Sequence, residues 1–470
     1  MTVQSAVAVS PVTTQALSTA TILCGLAVSS ASLPVETASN IFAFAALGVG
    51  LTLGVGTFIE GMSGIRTLIR VDILILWVLY GLTFFEFLFQ QPRIDAVVSP
   101  EAATSGTNAV LVGFAGLVIG RHLIPIRERF VRAVAHVNLQ STDIFVLFVL
   151  ATLLGYLHIL LAVNFDPFEM LRQMALPRFA QSWSRGAYGD AYSLLYELGM
   201  LISLIPPISG LIYARAQEFN FVQKLVVTAV LALTLWYGFA SGTRNVLATY
   251  LITLVGAYLL VKPGISTLQA ILVGVLSFVV LFVASTYMLE FRKIGIGNYS
   301  FADSQFEGVF IDHNIVNVSR LTTVFPIEYE FLGFEIPYNA LVRPVPRVLW
   351  PDKPEGLSIS IEQALGARGS VTLSCTFVGE AYMAGGLIGV LIFGLMLGAA
   401  AALWNRVGED LSSPIRQLIY VSGFVCASIA MRSMLSMVPL MLPTLALWIY
   451  GRVWGGVAPG VRRAPPPKAL

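Results

Sequence analysis

Twelve apolar stretches alternate with polar segments along the chain, centred near Ile22, Leu51, Gly81, Leu117, Thr152, Leu204, Leu231, Leu254, Leu276, Leu391, Phe424 and Leu445. A helix that crosses a bilayer presents about 20 apolar residues, because the hydrocarbon core holds no water to satisfy its backbone. The pattern therefore predicts an all-α polytopic integral membrane protein of about 12 transmembrane helices. Spans 1–9 occupy 1–289, a large outer loop 290–377, spans 10–12 378–453, and an inner tail 454–470. The first stretch, rich in Ala and Ser, also admits a cleavable signal peptide, although no basic residue precedes Arg66 as such a peptide would require.

Two connections exceed the two to eight residues usual between bundled helices. One, of medium length, covers 164–190, and the other is the large loop. Pro326, Pro337, Pro344, Pro346, Pro351 and Pro354 predict that the large loop is extended and stiff rather than helical. Lys and Arg settle which side is which, since they accumulate in cytoplasmic loops. Fifteen of the 28 basic residues fall in the candidate inner segments, and six in the short outer loops and outer span ends. Both termini are thereby placed inside.

Composition narrows the class further. With 56% hydrophobic and 11% charged residues, against roughly 25% charged in ordinary soluble domains, a water-soluble globule is excluded. A net charge of +2 gives no footprint for nucleic acid. Cys24, Cys375 and Cys426 are too scattered for a disulfide framework or a metal site. There is no P-loop or dinucleotide fingerprint, and the reading assigns no metal and no cofactor.

Ionisable residues in apolar stretches are costly, so each is a functional candidate. Glu86, His158, Glu197, Glu290, Glu380 and Arg432 lie in or at the outer ends of their spans, Arg244 lies in a tight outer turn, and none is expected deep in an inner half. Snorkelling to the interface explains any one of them. Together they point to a polar cavity open to the outer face. In Arg343-Pro-Val-Pro-Arg347 the prolines fix φ, so two guanidinium groups would stand about 12 Å apart on an extended strut suited to a diphosphate. The alternative is ion pairing with Glu328, Glu330 or Glu335. Arg172, Arg178 and Arg185 form a second basic set in the medium loop, and Arg292 opens the large one. Two sets suggest two anionic head groups.

Three segments resemble the O-antigen polymerase, or oligosaccharide repeat-unit polymerase (Wzy-type), family. They are Ser241-Gly242-Thr243-Arg244, then Pro346-Arg347-Val348-Leu349-Trp350-Pro351-Asp352-Lys353-Pro354, then Gly379-Glu380-Ala381-Tyr382 with Gly385-Gly386. The resemblance implies a glycosyltransferase of the bacterial inner membrane, which polymerises undecaprenyl-diphosphate-linked repeat units of O-antigen or exopolysaccharide at the periplasmic face. Donor and acceptor would both be lipid-linked oligosaccharides, and a partner protein would set chain length. Arg347, Arg343 and Arg244 would stabilise the leaving diphosphate, with Lys353, Arg432, Trp350 and Tyr382 lining the same site. Glu380 would deprotonate the acceptor hydroxyl, or His313 of Asp312-His313-Asn314 in its place. A helix-capping Glu380 is the structural alternative. An O-antigen ligase transferring glycan to lipid A core, and a polysaccharide flippase or secondary transporter, are the rival functions.

The charge count predicts a topology that reporter fusions can check. A periplasmic phosphatase fused near His313 should be active and one fused near Arg127 inactive, and the reverse pattern would overturn the topology.

Overall fold

In a computed structural model the chain is helical, and no strand occurs among the described residues, which are 11–91, 93–123, 139–183, 197–298, 311–345, 350, 352–354, 356–367 and 373–457. The α-helices are α1 (Pro11–Ala31), α2 (Ala38–Gly61), α3 (Val71–Thr83), α4 (Pro100–Gly120), α5 (Ser141–Ala162), α6 (Pro167–Met174), α7 (Ile205–Ala214), α8 (Phe221–Ala240) and α9 (Arg244–Val261). They continue as α10 (Thr267–Ile294), α11 (Asn314–Val324), α12 (Glu335–Val342), α13 (Ile361–Ala364), α14 (Thr376–Asn405), α15 (Pro414–Arg432), α16 (Met434–Met437) and α17 (Leu442–Val457). Ten helical segments among the described residues are long and apolar enough to cross a membrane, as a multi-pass membrane protein requires. The stretches centred on Gly81 and Leu204 form shorter apolar helices, Val71–Thr83 and Gly199–Ala214.

Local sequence sets where these helices start. Ser99 caps α4 by accepting from the Ala102 N–H, with Pro100 in the first turn, where its missing N–H costs no hydrogen bond. Reciprocal capping boxes open α8, from Asn220 and Gln223, and α10, from Ser266 and Gln269.

Glycines determine how closely the central pair approaches. On α4, Gly116 and Gly120 are four apart, and on α14 Gly394 and Gly398 repeat the spacing, so two backbones meet where side chains would otherwise hold them apart. A Cβ on Gly398 would lie 2.2 Å from the Leu117 carbonyl oxygen, and one on Gly116 would lie 2.9 Å from the Gly394 Cα.

The large loop departs from expectation. It contains α11, whose Ile315, Val318 and Leu321 are fully buried between α4 and α14. Pro337 sits in the first turn of α12, where proline needs no hydrogen-bond donor, and therefore does not prevent a helix there. Arg343 continues that helix at φ −52°, ψ −39°, and the Val345 N–H donates to the Val342 carbonyl at 3.0 Å. Instead of the expected extended strut, the segment from Arg343 to Val345 is a turn.

A buried polar cluster that the sequence did not single out lies where α2 ends, α3 starts and α4 ends, formed by Glu60, Asp72 and Arg121. The Arg121 Nη1 lies 2.6 Å from Glu60 Oε1 and 3.5 Å from Asp72 Oδ2, and Arg70 lies 2.5 Å from Asp72 Oδ2. Asn405 Nδ2 donates to Asp72 Oδ1 at 2.6 Å, tying the inner end of α14 to the same cluster. Two guanidinium groups against two carboxylates make a neutral, hydrogen-bonded network of the only kind a low-dielectric interior tolerates.

Gly398→Val should remove most of the monodisperse protein recovered in detergent and lower its melting temperature, since overpacking costs about 1–3 kcal/mol even where the backbone can yield. Gly54→Ala, with nothing within 4 Å of the new Cβ, should melt at or slightly above wild type. Size-exclusion chromatography with thermal melting checks both, and a wild-type melt for Gly398→Val would contradict the crossing.

Candidate functional site

Several functional candidates converge at the end of the bundle where α3 and α15 finish and α9 starts. Ser241 to Arg244 form the turn between α8 and α9, with Gly242 at φ 61°, a conformation that favours glycine. The turn starts α9 at Arg244. The Arg244 Nε donates to the Ser285 carbonyl of α10 at 3.1 Å. Its Nη1 stands 3.9 Å from Asp312 Oδ1.

Asp312 is also approached from the other side, where Arg432 Nη2, at the end of α15, lies 3.7 Å from its Oδ2. Both separations exceed the 2.7–2.9 Å of a closed guanidinium–carboxylate fork. The carboxylate thus sits between the two cations. Arg178 joins them, its Nη1 donating to Thr243 Oγ1 at 2.9 Å. The guanidinium groups of Arg178, Arg244 and Arg432 thus gather around this turn and Asp312, an arrangement that can engage an anion with several oxygens.

The segment carrying Asp312 is held under local strain. Asp312 and His313 both have positive φ, 74° and 47°, which non-glycine residues adopt rarely. Asn314 anchors them by donating to the carbonyls of Leu82 at 2.8 Å and Ile311 at 3.2 Å. The Ile311 N–H donates to buried Glu86 Oε2 at 2.5 Å. His313 Nε2 lies 3.2 Å from Gln91 Oε1 and 4.0 Å from Glu86 Oε2. With Gln91 Oε1 as the acceptor, Nε2 carries the proton and Nδ1 is the basic nitrogen. Burial pushes the His313 pKa below its ordinary 6.5 against the opposing pull of Asp312, which keeps the imidazole neutral and able to accept a proton.

Glu380 lies one turn above an interruption in α14. At Gly385 and Gly386 the backbone leaves the helix, and Gly386 takes φ 61°, ψ −148°. The Leu332 and Gly333 N–H groups donate to the freed Met383 and Ala384 carbonyls at 2.8 and 2.9 Å. Tyr382 meets the Phe331 ring edge-on at 6.3 Å, and Phe331 also covers Gly386. Buried Glu380 accepts from Ser433 Oγ at 2.5 Å and from the Met434 N–H at 2.6 Å. It therefore fixes the residue next to Arg432.

Other expected site residues are distributed differently. The Lys353 ammonium donates to the Arg343 and Val345 carbonyls at 2.7 and 2.9 Å, closing the end of α12. Arg172 is exposed and faces Glu169 at 3.4 Å. Arg178 has joined the Arg244 turn. Trp350 is half-buried. Arg347, Arg185 and the side chain of Arg292 lie outside the described residues. His158 packs its imidazole against Gly199, where a Cβ would be 2.4 Å from the ring. Sequence reading missed Asp312 as the meeting point of the arginines; its signal was the Asp-His-Asn run.

Residues 314–413, from α11 to just beyond α14, match a family model described as a domain of unknown function, DUF8712. No curated protein and no solved structure matches the chain.

Proposed function

We propose that the chain polymerises undecaprenyl-diphosphate-linked oligosaccharide repeat units at the periplasmic face of the bacterial inner membrane. The observation that carries the reading is the approach of Arg244 and Arg432, from two different spans, to opposite oxygens of Asp312. A lipid–sugar diphosphate gains negative charge as its glycosidic bond breaks. Guanidinium groups already in place there stabilise that charge more in the transition state than in the ground state.

His313 is the favoured base for the acceptor hydroxyl, because its imidazole is neutral and adjoins Asp312. Glu380 is reassigned from base to positioning residue, since Ser433 and Met434 already donate to its two oxygens. Arg343 and Arg347, expected beside Arg244 at the leaving diphosphate, are moved in this reading to the second lipid diphosphate.

Complementing a deletion strain with Arg244→Ala or Arg432→Ala tests the reading. Losing one charge-assisted contact is worth roughly 2–4 kcal/mol, about a thirtyfold to thousandfold fall in turnover. The surface glycan should then be a single repeat unit, with the variant protein at wild-type abundance. A full ladder would contradict the site assignment, and complete absence of attached glycan would favour the ligase.

A further inference from the structure

The segment of the large loop from Ile327 to Leu341 carries a row of exposed apolar side chains. Ile327, Phe334 and Leu341 are 79%, 74% and 64% exposed, and the Tyr329, Phe331 and Tyr338 rings are exposed as well. Phe334, Tyr338 and Leu341 stand at i, i+4 and i+7, on one face of α12 and its N-cap. The opposite face is already committed, since Ile336 and Ala340 are buried and α12 packs on α14 and α16. In the turn before α12, exposed Glu328 and Glu330 alternate with the apolar residues.

What covers this face follows from the apolar span to which the loop is tied. Along α14, no charged, hydroxyl or amide side chain occurs from Gly386 to Trp404. At 1.5 Å per residue that stretch is about 27 Å long, close to the ~30 Å of a hydrocarbon core. Asn405 follows it at one end, and Glu380 and Tyr382 precede it at the other. The Gly385–Gly386 interruption therefore marks one boundary of the hydrocarbon. The Leu332 and Gly333 N–H groups donate to the Met383 and Ala384 carbonyls at 2.8 and 2.9 Å, and the Phe331 ring would lie 3.1 Å from a Cβ on Gly386. The loop is thus fastened to α14 at the level of that boundary, and Phe334 is the next residue. Leu387 and Ile388, which follow Gly386 directly, are also exposed, so the apolar surface of the loop starts where that of the span ends.

We propose that the segment from Ile327 to Leu341 is an interfacial element, seated with its apolar face in lipid at the head-group boundary of the bilayer. Its chemistry suits that depth. Aromatic rings are favoured where apolar and hydrated surroundings meet, and a helix with one apolar face lies in the plane of the interface. The carboxylates of Glu328 and Glu330 stay hydrated there, whereas in hydrocarbon they would be costly. The large loop is therefore not a purely aqueous excursion between two spans: its partner is the lipid surface, and the hydrogen bonds to Met383 and Ala384 set its depth. This seating holds whatever reaction the neighbouring arginines support.

Nitroxide labels on the full-length protein in nanodiscs of phosphatidylethanolamine and phosphatidylglycerol read the surroundings directly. They are placed by Phe334→Cys, Leu341→Cys or Asp352→Cys after Cys24, Cys375 and Cys426 are changed to Ala. At positions 334 and 341 collisions with dissolved oxygen should outnumber those with a water-soluble nickel chelate, and the order should reverse at position 352, where Asp352 is exposed in the same loop. Wild-type protein gives a second readout that needs no substitution. A phospholipid with a photoreactive diazirine near the top of its acyl chain should modify peptides from 327–341 as well as those around Ile388. Nickel-dominated collisions at both positions, or a wild-type 327–341 segment left unmodified while Ile388 is labelled, overturns the proposal. Protection from both collision partners, with short label-to-label distances between protomers, also overturns it and gives the face to a second copy of the chain.

Discussion

The close contact between α4 and α14 is the constraint from which the rest of the molecule follows. Lipid supplies little hydrophobic drive between helices, so association depends on how many atoms two backbones bring together. Gly116, Gly120, Gly394 and Gly398 allow the helices to touch along their inner halves. The Gly385–Gly386 interruption then gives the outer part of α14 its own direction. The outer segment carries Glu380 to Ser433 and Met434, while α11 fits against α4 at Gly106, where a Cβ would collide with Ser319. Through these two contacts a packing event in the membrane interior determines where Arg432 and Asp312 stand.

Two polar clusters with opposite properties lie at the two ends of this framework. The inner one is neutral and closed, with short contacts joining Arg70, Arg121, Glu60, Asp72 and Asn405. Removing one partner would leave a buried charge uncompensated, so the cluster acts as a clamp. The other gathers Arg178, Arg244 and Arg432 around Asp312, with guanidinium–carboxylate separations of 3.9 and 3.7 Å. Positive-φ residues at Asp312 and His313 are the kind of strain that persists at functional positions.

Much of the helical framework was legible in the chain because apolar length is a strong signal, and ten helical segments among the described residues are long enough to realise it. The placement of Arg244, Glu380 and Arg432 near the ends of their helices was legible for the same reason. What the chain did not reveal was who meets whom. Nothing local announces that Glu60, on an otherwise apolar α2, pairs with Arg121 beyond α4. The Arg343 segment was misread because proline disfavours helical φ/ψ in the residue before it. Tertiary contacts override that preference, since Lys353 binds the carbonyls at the end of α12. Glu380 illustrates a different limit: its position near a helix start suits a base and a cap equally well, and only its partners distinguish the two.

The central claim is that the outer arginine cluster supports transfer between two lipid diphosphates without help from another protein. Purified full-length protein, reconstituted in liposomes and given a defined undecaprenyl-diphosphate-linked repeat unit alone, tests it most directly. The account predicts a ladder of lipid-linked products that lengthen with time. Unchanged substrate after incubation with folded protein and the matching repeat unit would contradict it.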